Sequence, residues 1–101
     1  MKYVVTVRGK LKDTDAKMAE TAHNDTFERL SVIGKDLGSI GHQTYLNSED
    51  KNEFLAVDTW SSIEGLQKFL ADPANPGGEI AKLFTSEPQI TVWAESGWKG
   101  L

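Results

Sequence analysis

Residues 41–73 read GHQTYLNSEDKNEFLAVDTWSSIEGLQKFLADP, and this stretch restricts the chain more than any other. Two β-type runs, GHQTYL and EFLAVDTW, flank the polar turn NSEDKN. A short polar connection between two such runs makes an antiparallel hairpin the natural pairing. The second run passes directly into a helix. Ser61 and Glu64 have the S-x-x-E spacing of a capping box. Ile63, Leu66, Phe69 and Leu70 recur at helical spacing, and Pro73 ends the pattern. In strand geometry alternate residues share a face. Phe54, Ala56, Asp58 and Trp60 therefore lie opposite Leu55, Val57 and Thr59, while His42, Thr44 and Leu46 lie opposite Gln43 and Tyr45. A one-residue slip would reverse either set, so sequence alone leaves the inward face of the first run open.

The flanking segments complete the pattern. Tyr3–Arg8 is β-branched and aromatic on both parities, as expected of a strand covered on both faces. Asp13, Thr14 and Asp15 suit the start of a helix, which runs to about Leu37 with Gly38 as its C′ residue. Ala19, Ala22, Thr26, Leu30, Ile33 and Leu37 form one stripe of that helix, with His23 inside it and Phe27 at its edge. Asn24-Asp25-Thr26 is a weak helix-forming run where a local irregularity is expected. Pro73–Gly78 interrupts the second helix. A short helical piece follows at Glu79–Phe84, then a strand at about Gln89–Ala94. Trp98 stands in a glycine-flanked tail, placed to clip onto a partner.

The element order β-α-β-β-α-β, closed by two right-handed crossovers, gives an α+β ferredoxin-like arrangement: a four-stranded antiparallel sheet with two helices on one face. At 101 residues it is a single domain, 1–101. The strands stay apolar on the face away from the helices, and a bare apolar sheet face marks an interface. A homodimer with two sheets packed face to face is therefore expected. With no cysteine in the chain, disulfides and thiolate chemistry are excluded. A net charge of −4, with scattered basic residues, is the wrong balance for a phosphate-binding surface, so no nucleic-acid partner is expected. EFLAVDTW also lacks the basic and aromatic pattern of an RNA-binding sheet of the same element order. No apolar run approaches the roughly 20 residues that cross a bilayer. The opening MKYVVTVRGK lacks a signal-peptide pattern. No membrane partner is expected, and the cytoplasm is the expected location.

Asp58-x-Trp60-x-Ser62-x-Glu64-x-Leu66, followed by Leu70 and Pro73, resembles the strand–helix signature of the dimeric α+β barrel proteins. Within these the chain is most similar to small proteins with an antibiotic-biosynthesis-monooxygenase-type domain. The resemblance covers most of the chain and implies a ligand cavity in each subunit, between the helices and the concave sheet. It specifies fold better than activity, since that superfamily spans cofactor-independent oxygenases, haem-degrading enzymes and isomerases. Many monooxygenase-type members carry a helical histidine where this chain has Phe69. The haem-degrading branch has an asparagine near Val7 and its haem-ligating histidine near Glu79. Both differ here, and the PGG segment lacks the context of a phosphate loop. No cofactor is expected.

The candidate catalytic residues are His23, His42 and Asp58. An imidazole on the inward stripe of the first helix suits proton abstraction from a phenol-like substrate, with Asp58 or His42 as its orienting partner. The competing reading of His23 is a core histidine held by a backbone carbonyl or a strand side chain. Two histidines and a carboxylate have no recognised metal-ligand spacing here, so no metal site is expected. Phe27, Leu30, Tyr45, Trp60, Leu66, Phe69 and Phe84 are the candidate ligand-binding residues, apolar and aromatic as small-molecule pockets are. The same composition would serve a small solid core, and Trp60 equally anchors the second helix. Two functions follow as expectations. One is a cofactor-independent monooxygenase-like oxidoreductase acting on a small aromatic or polyketide-like molecule. The other is a non-catalytic small-ligand-binding or stress-related dimer.

Overall fold

A computed structural model describes residues 1–12, 16–72 and 81–100. Strands β1 (Tyr3–Lys10), β2 (Ser39–Leu46), β3 (Glu53–Trp60) and β4 (Gln89–Ala94) form one antiparallel sheet in the order β2-β3-β1-β4. Helix α1 spans Ala16–Leu37 and α2 spans Ile63–Ala71. The fold is ferredoxin-like, as the element order predicts. The helix-start signal at Asp13–Asp15 and the Pro73–Gly78 interruption lie outside the described residues. So do Glu79 and Ile80 of the Glu79–Phe84 piece; its described end is turn at Lys82 and Leu83, and Phe84 pairs with Leu11 in an isolated antiparallel bridge.

The register settles which residues face the helices. Val5 pairs with Asp58 and Val7 with Ala56 between β1 and β3, and Val5 pairs with Val92 and Val7 with Ile90 between β1 and β4. Val5, Ala56 and Trp60 are buried on this inner face. Val4, Thr6, Leu55 and Val57 lie on the outer face with Trp93, whose indole N–H donates to Thr6 Oγ1 at 2.9 Å. Two buried clusters sit on the inner side. Leu11, Phe54, Ala56 and Phe84 form one, and Val5, Trp60 and Leu66 form the other. Phe84 is held there by the backbone: Lys12 N–H donates to Leu83 O and Thr85 N–H to Lys10 O, each at 2.8 Å.

The structure corrects four local expectations. α1 is continuous through Asn24–Thr26, because Thr26 is buried and tertiary packing overrides weak propensity. Its inward face runs through His23, Phe27, Leu30 and Gly34, leaving Ala22 exposed. β2 begins at Ser39, ahead of the GHQTYL run. Finally, Ser62, not Ser61, caps α2: its hydroxyl accepts from Gly65 N–H at 3.1 Å. Ser61 is otherwise engaged, since both its N–H (2.9 Å) and its hydroxyl (3.1 Å) donate to the Gly38 carbonyl. Gly38, at φ +110°, ends α1 in the conformation expected of a C′ glycine. Among the described residues no helix is long and apolar enough to cross a membrane.

The helices meet backbone to backbone. A Cβ placed at Gly65 would lie 1.6 Å from the Leu37 carbonyl oxygen. Gly65→Ala should therefore force α2 away from the end of α1 and destabilise the protein by about 2–4 kcal/mol in chemical denaturation, at or above the usual range for overpacking. Gly100→Ala, which meets nothing within 4 Å, should change stability by less than about 0.5 kcal/mol, as ordinary surface positions do.

Candidate functional site

The site grows out of the alternation of β3. Phe54, Ala56 and Trp60 are buried on the inner face, and the two-residue period of a strand puts Asp58 there with them. A carboxylate on such a face needs a partner. Across the ladder stands His42 of β2, and its Nδ1–H donates to Asp58 Oδ1. The two side chains retain only 18% and 28% of their exposure.

His42 faces inward because β2 carries a bulge. Ser39 pairs with Trp60 but Gly41 with Thr59, so the register shifts at Ile40. Simple alternation from Ser39 would turn Gly41 inward and His42 outward. The extra residue reverses this, and Ser39 and His42 both line the inner side.

The pair sets the chemistry of the ring. A carboxylate can only accept, which assigns the shared proton to Nδ1; in a neutral imidazole so protonated the lone pair is on Nε2. His42 Nε2 is buried and has no hydrogen-bond partner among the described residues. The ring lies flat under two rings of α1. Phe27 stacks on it at 4.0 Å between centroids (22°) and His23 at 5.3 Å (17°). Phe27 and His23 are four residues apart, adjacent on one helix face, and almost coplanar in orientation (6.0 Å, 5°). His23 also packs against Phe54 at 5.8 Å, and its Nδ1 is 3.1 Å from the exposed Asn24 side chain. Asp58 thus pairs with His42 and not with His23.

These groups form part of the wall of a cavity of about 400 Å³ between the helices and the sheet. Phe27, Leu30, Trp60, Leu66 and Phe69 contribute apolar surface to it, with His23, His42 and Asp58 among the few polar groups. Trp60 is also a core residue, 3% exposed and packed on Phe69 at 5.1 Å. Two sequence candidates fall elsewhere. Tyr45 pairs with Leu55 on the outer face, where strand alternation carries it, and is 53% exposed. Phe84 fills the core, edge-on to Phe54 at 5.5 Å, and does not line the cavity. Gly34, Lys35 and Ser39 line it without having been singled out from the sequence. The one available signal was Gly41, since a glycine inside a strand often marks a bulge. Among the described residues no group of three His, Asp or Glu is placed to hold a metal ion.

The tautomer can be measured directly. Long-range ¹H–¹⁵N spectra above the titration of the ring should show His42 protonated on Nδ1. In Asp58→Ala the population should move toward the Nε2–H form that free histidine prefers. An Nε2–H tautomer in the wild type would remove the orienting role of Asp58.

No family model matches the sequence, and no curated protein matches it. Solved structures do resemble the fold. SnoaB, a cofactor-independent oxygenase from Streptomyces nogalater, superposes with a TM-score of 0.71 at 13% identity, covering 96% of this chain and 95% of that one. A dimeric ferredoxin-like protein of unknown function from Jannaschia sp. gives 0.70 at 10% identity, over 94% and 100% of the two chains. A protein described as an antibiotic biosynthesis monooxygenase gives 0.69 at 10% identity, over 94% and 98%. The fold of this chain is thus the ferredoxin-like fold that these solved structures share.

Proposed function

We propose that the protein is a small-ligand-binding homodimer acting as a cofactor-independent oxidoreductase on an aromatic or polyketide-like substrate, with His42 as general base. The observation that carries this reading is the buried, unpartnered Nε2 of a carboxylate-oriented imidazole in the wall of an apolar cavity. An oriented His–carboxylate pair is a common way to build a general base. Asp58 fixes the tautomer and stabilises the imidazolium that forms. Phe27 and His23 hold the ring plane and exclude water from one side of it. The solved likeness to SnoaB is consistent with such chemistry at the level of fold.

The reaction balances with dioxygen as the oxidant. His42 takes a proton from an activated methylene carbon, leaving a carbanion. One electron passes to O₂, and the carbon radical and superoxide combine to a peroxide anion. His42 returns its proton to give the hydroperoxide. Loss of water from that hydroperoxide leaves a ketone, so one oxygen atom is retained and the other leaves as water. Phe69 stands where many monooxygenase-type proteins carry a histidine, and it packs on Trp60. This favours the second reading, a binding dimer without turnover.

Oxygen uptake with an anthrone as probe separates the two readings. His42→Ala should lower the rate by about 10²–10⁴-fold, the usual contribution of a general base, while His23→Ala should lower it far less. Binding without oxygen uptake by the wild type would leave the non-catalytic reading. An unchanged rate in His42→Ala would remove His42 as the base.

The homodimer reading is supported by the outer face, where Val4, Leu55 and Val57 are half-buried and Trp93 is 55% exposed. Val57→Asp at the middle of this face should convert a dimer to a monomer in light scattering. A dimer that persists in Val57→Asp would place the interface elsewhere.

A further inference from the structure

The cavity has two chemically different ends. α1 lines it from His23 to Lys35, a separation of twelve residues, or about 18 Å along a helix axis. One end holds the His42–Asp58 pair beneath His23 and Phe27. At the other, the last turns of α1 close on the start of β2, where a Cβ on Gly34 would lie 3.2 Å from that of Ser39. Lys35 and Ser39 line this second end.

Charge is divided the same way. Asp58 is the only acid among the described lining residues, and it is committed to His42. Lys35 is exposed, and no acidic side chain among the described residues pairs with it. A lysine in this position lays its apolar stem along the wall and keeps its ammonium in water at the rim. An anionic group on a ligand is therefore repelled at the Asp58 end and attracted at the Lys35 end. The apolar remainder is then directed along the cavity toward His42.

We propose that Lys35 is a specificity-determining residue: the cavity takes an apolar ligand bearing a carboxylate, seated at Lys35 so that its opposite end lies toward the His42–Asp58 pair. This rests on the small-ligand reading above and adds its charge and orientation. Lys35 also stands in the last turn of α1, where a cation complements the helix dipole. That role would leave ligand affinity independent of the lysine, which gives the test its contrast.

The probes are anthracene-2-carboxylate and its neutral primary amide, titrated by fluorescence at low ionic strength. The wild type should bind the carboxylate roughly twofold to fivefold more tightly than the amide, as a solvent-exposed ion pair allows. Lys35→Gln should abolish that preference while leaving the amide unaffected, and Lys35→Arg should retain it. Equal affinities in the wild type, or a preference that survives Lys35→Gln, would overturn the assignment of Lys35 and leave the cavity reading standing. Failure of both probes to bind would overturn the two together.

Discussion

A carboxylate on the buried face of a central strand is the constraint around which this molecule is arranged. β3 must turn Phe54, Ala56 and Trp60 toward the helices to build a core, and its two-residue period leaves Asp58 no other direction. Desolvating an unpaired carboxylate costs several kcal/mol, so the neighbouring strand has to supply a donor. His42 supplies it only because the bulge at Ile40 shifts the alternation of β2. Local distortion in an edge strand thus satisfies a demand made by the strand beside it, and the result is an imidazole with one nitrogen engaged and the other free.

The helices bury that nitrogen. α1 and α2 touch at the Gly65–Leu37 contact. The chain between them is tied down where both Ser61 donors reach the Gly38 carbonyl. With the helix ends fixed, the long α1 spans β2 and β3 on the side chains of His23, Phe27 and Leu30 rather than on its backbone. Aromatic rings make good spacers, since they are rigid and bury much area for little conformational entropy. The space they leave between the two buried clusters is the cavity. Phe84, by contrast, belongs to the cluster at the far end of β1, where it closes the core over Gly9.

The same sheet serves two surfaces. Its inner face carries Phe54, Trp60 and the His42–Asp58 pair, and its outer face carries Val4, Leu55, Val57, Tyr45 and Trp93 with the Arg8–Glu53 ion pair. Tyr45 shows how strictly the pleat divides them: three residues from His42 along β2, it is on the opposite side, beside Leu55. Compositional reasoning grouped Tyr45 with the ligand-binding aromatics because aromatic character says nothing about parity.

By itself the sequence determined the element order, the antiparallel hairpin, the end of α1 at Gly38, and the sharing of one strand face by Asp58 and Trp60. Those are local properties, written in two-residue and 3.6-residue periodicities and in the placement of glycine and proline. His23, His42 and Asp58 were also legible as the chain's notable polar side chains, because few others interrupt its apolar stripes. Their partnership was not. Whether Asp58 met His23 or His42 depended on a bulge without a firm sequence signature, and on which helix residues came to rest above it. The shift of the α2 cap from Ser61 to Ser62 was likewise decided by a carbonyl 23 residues away, at Gly38. Tertiary structure decided these points because each is a choice between chemically equivalent local solutions, and only contacts distant in sequence separate their energies.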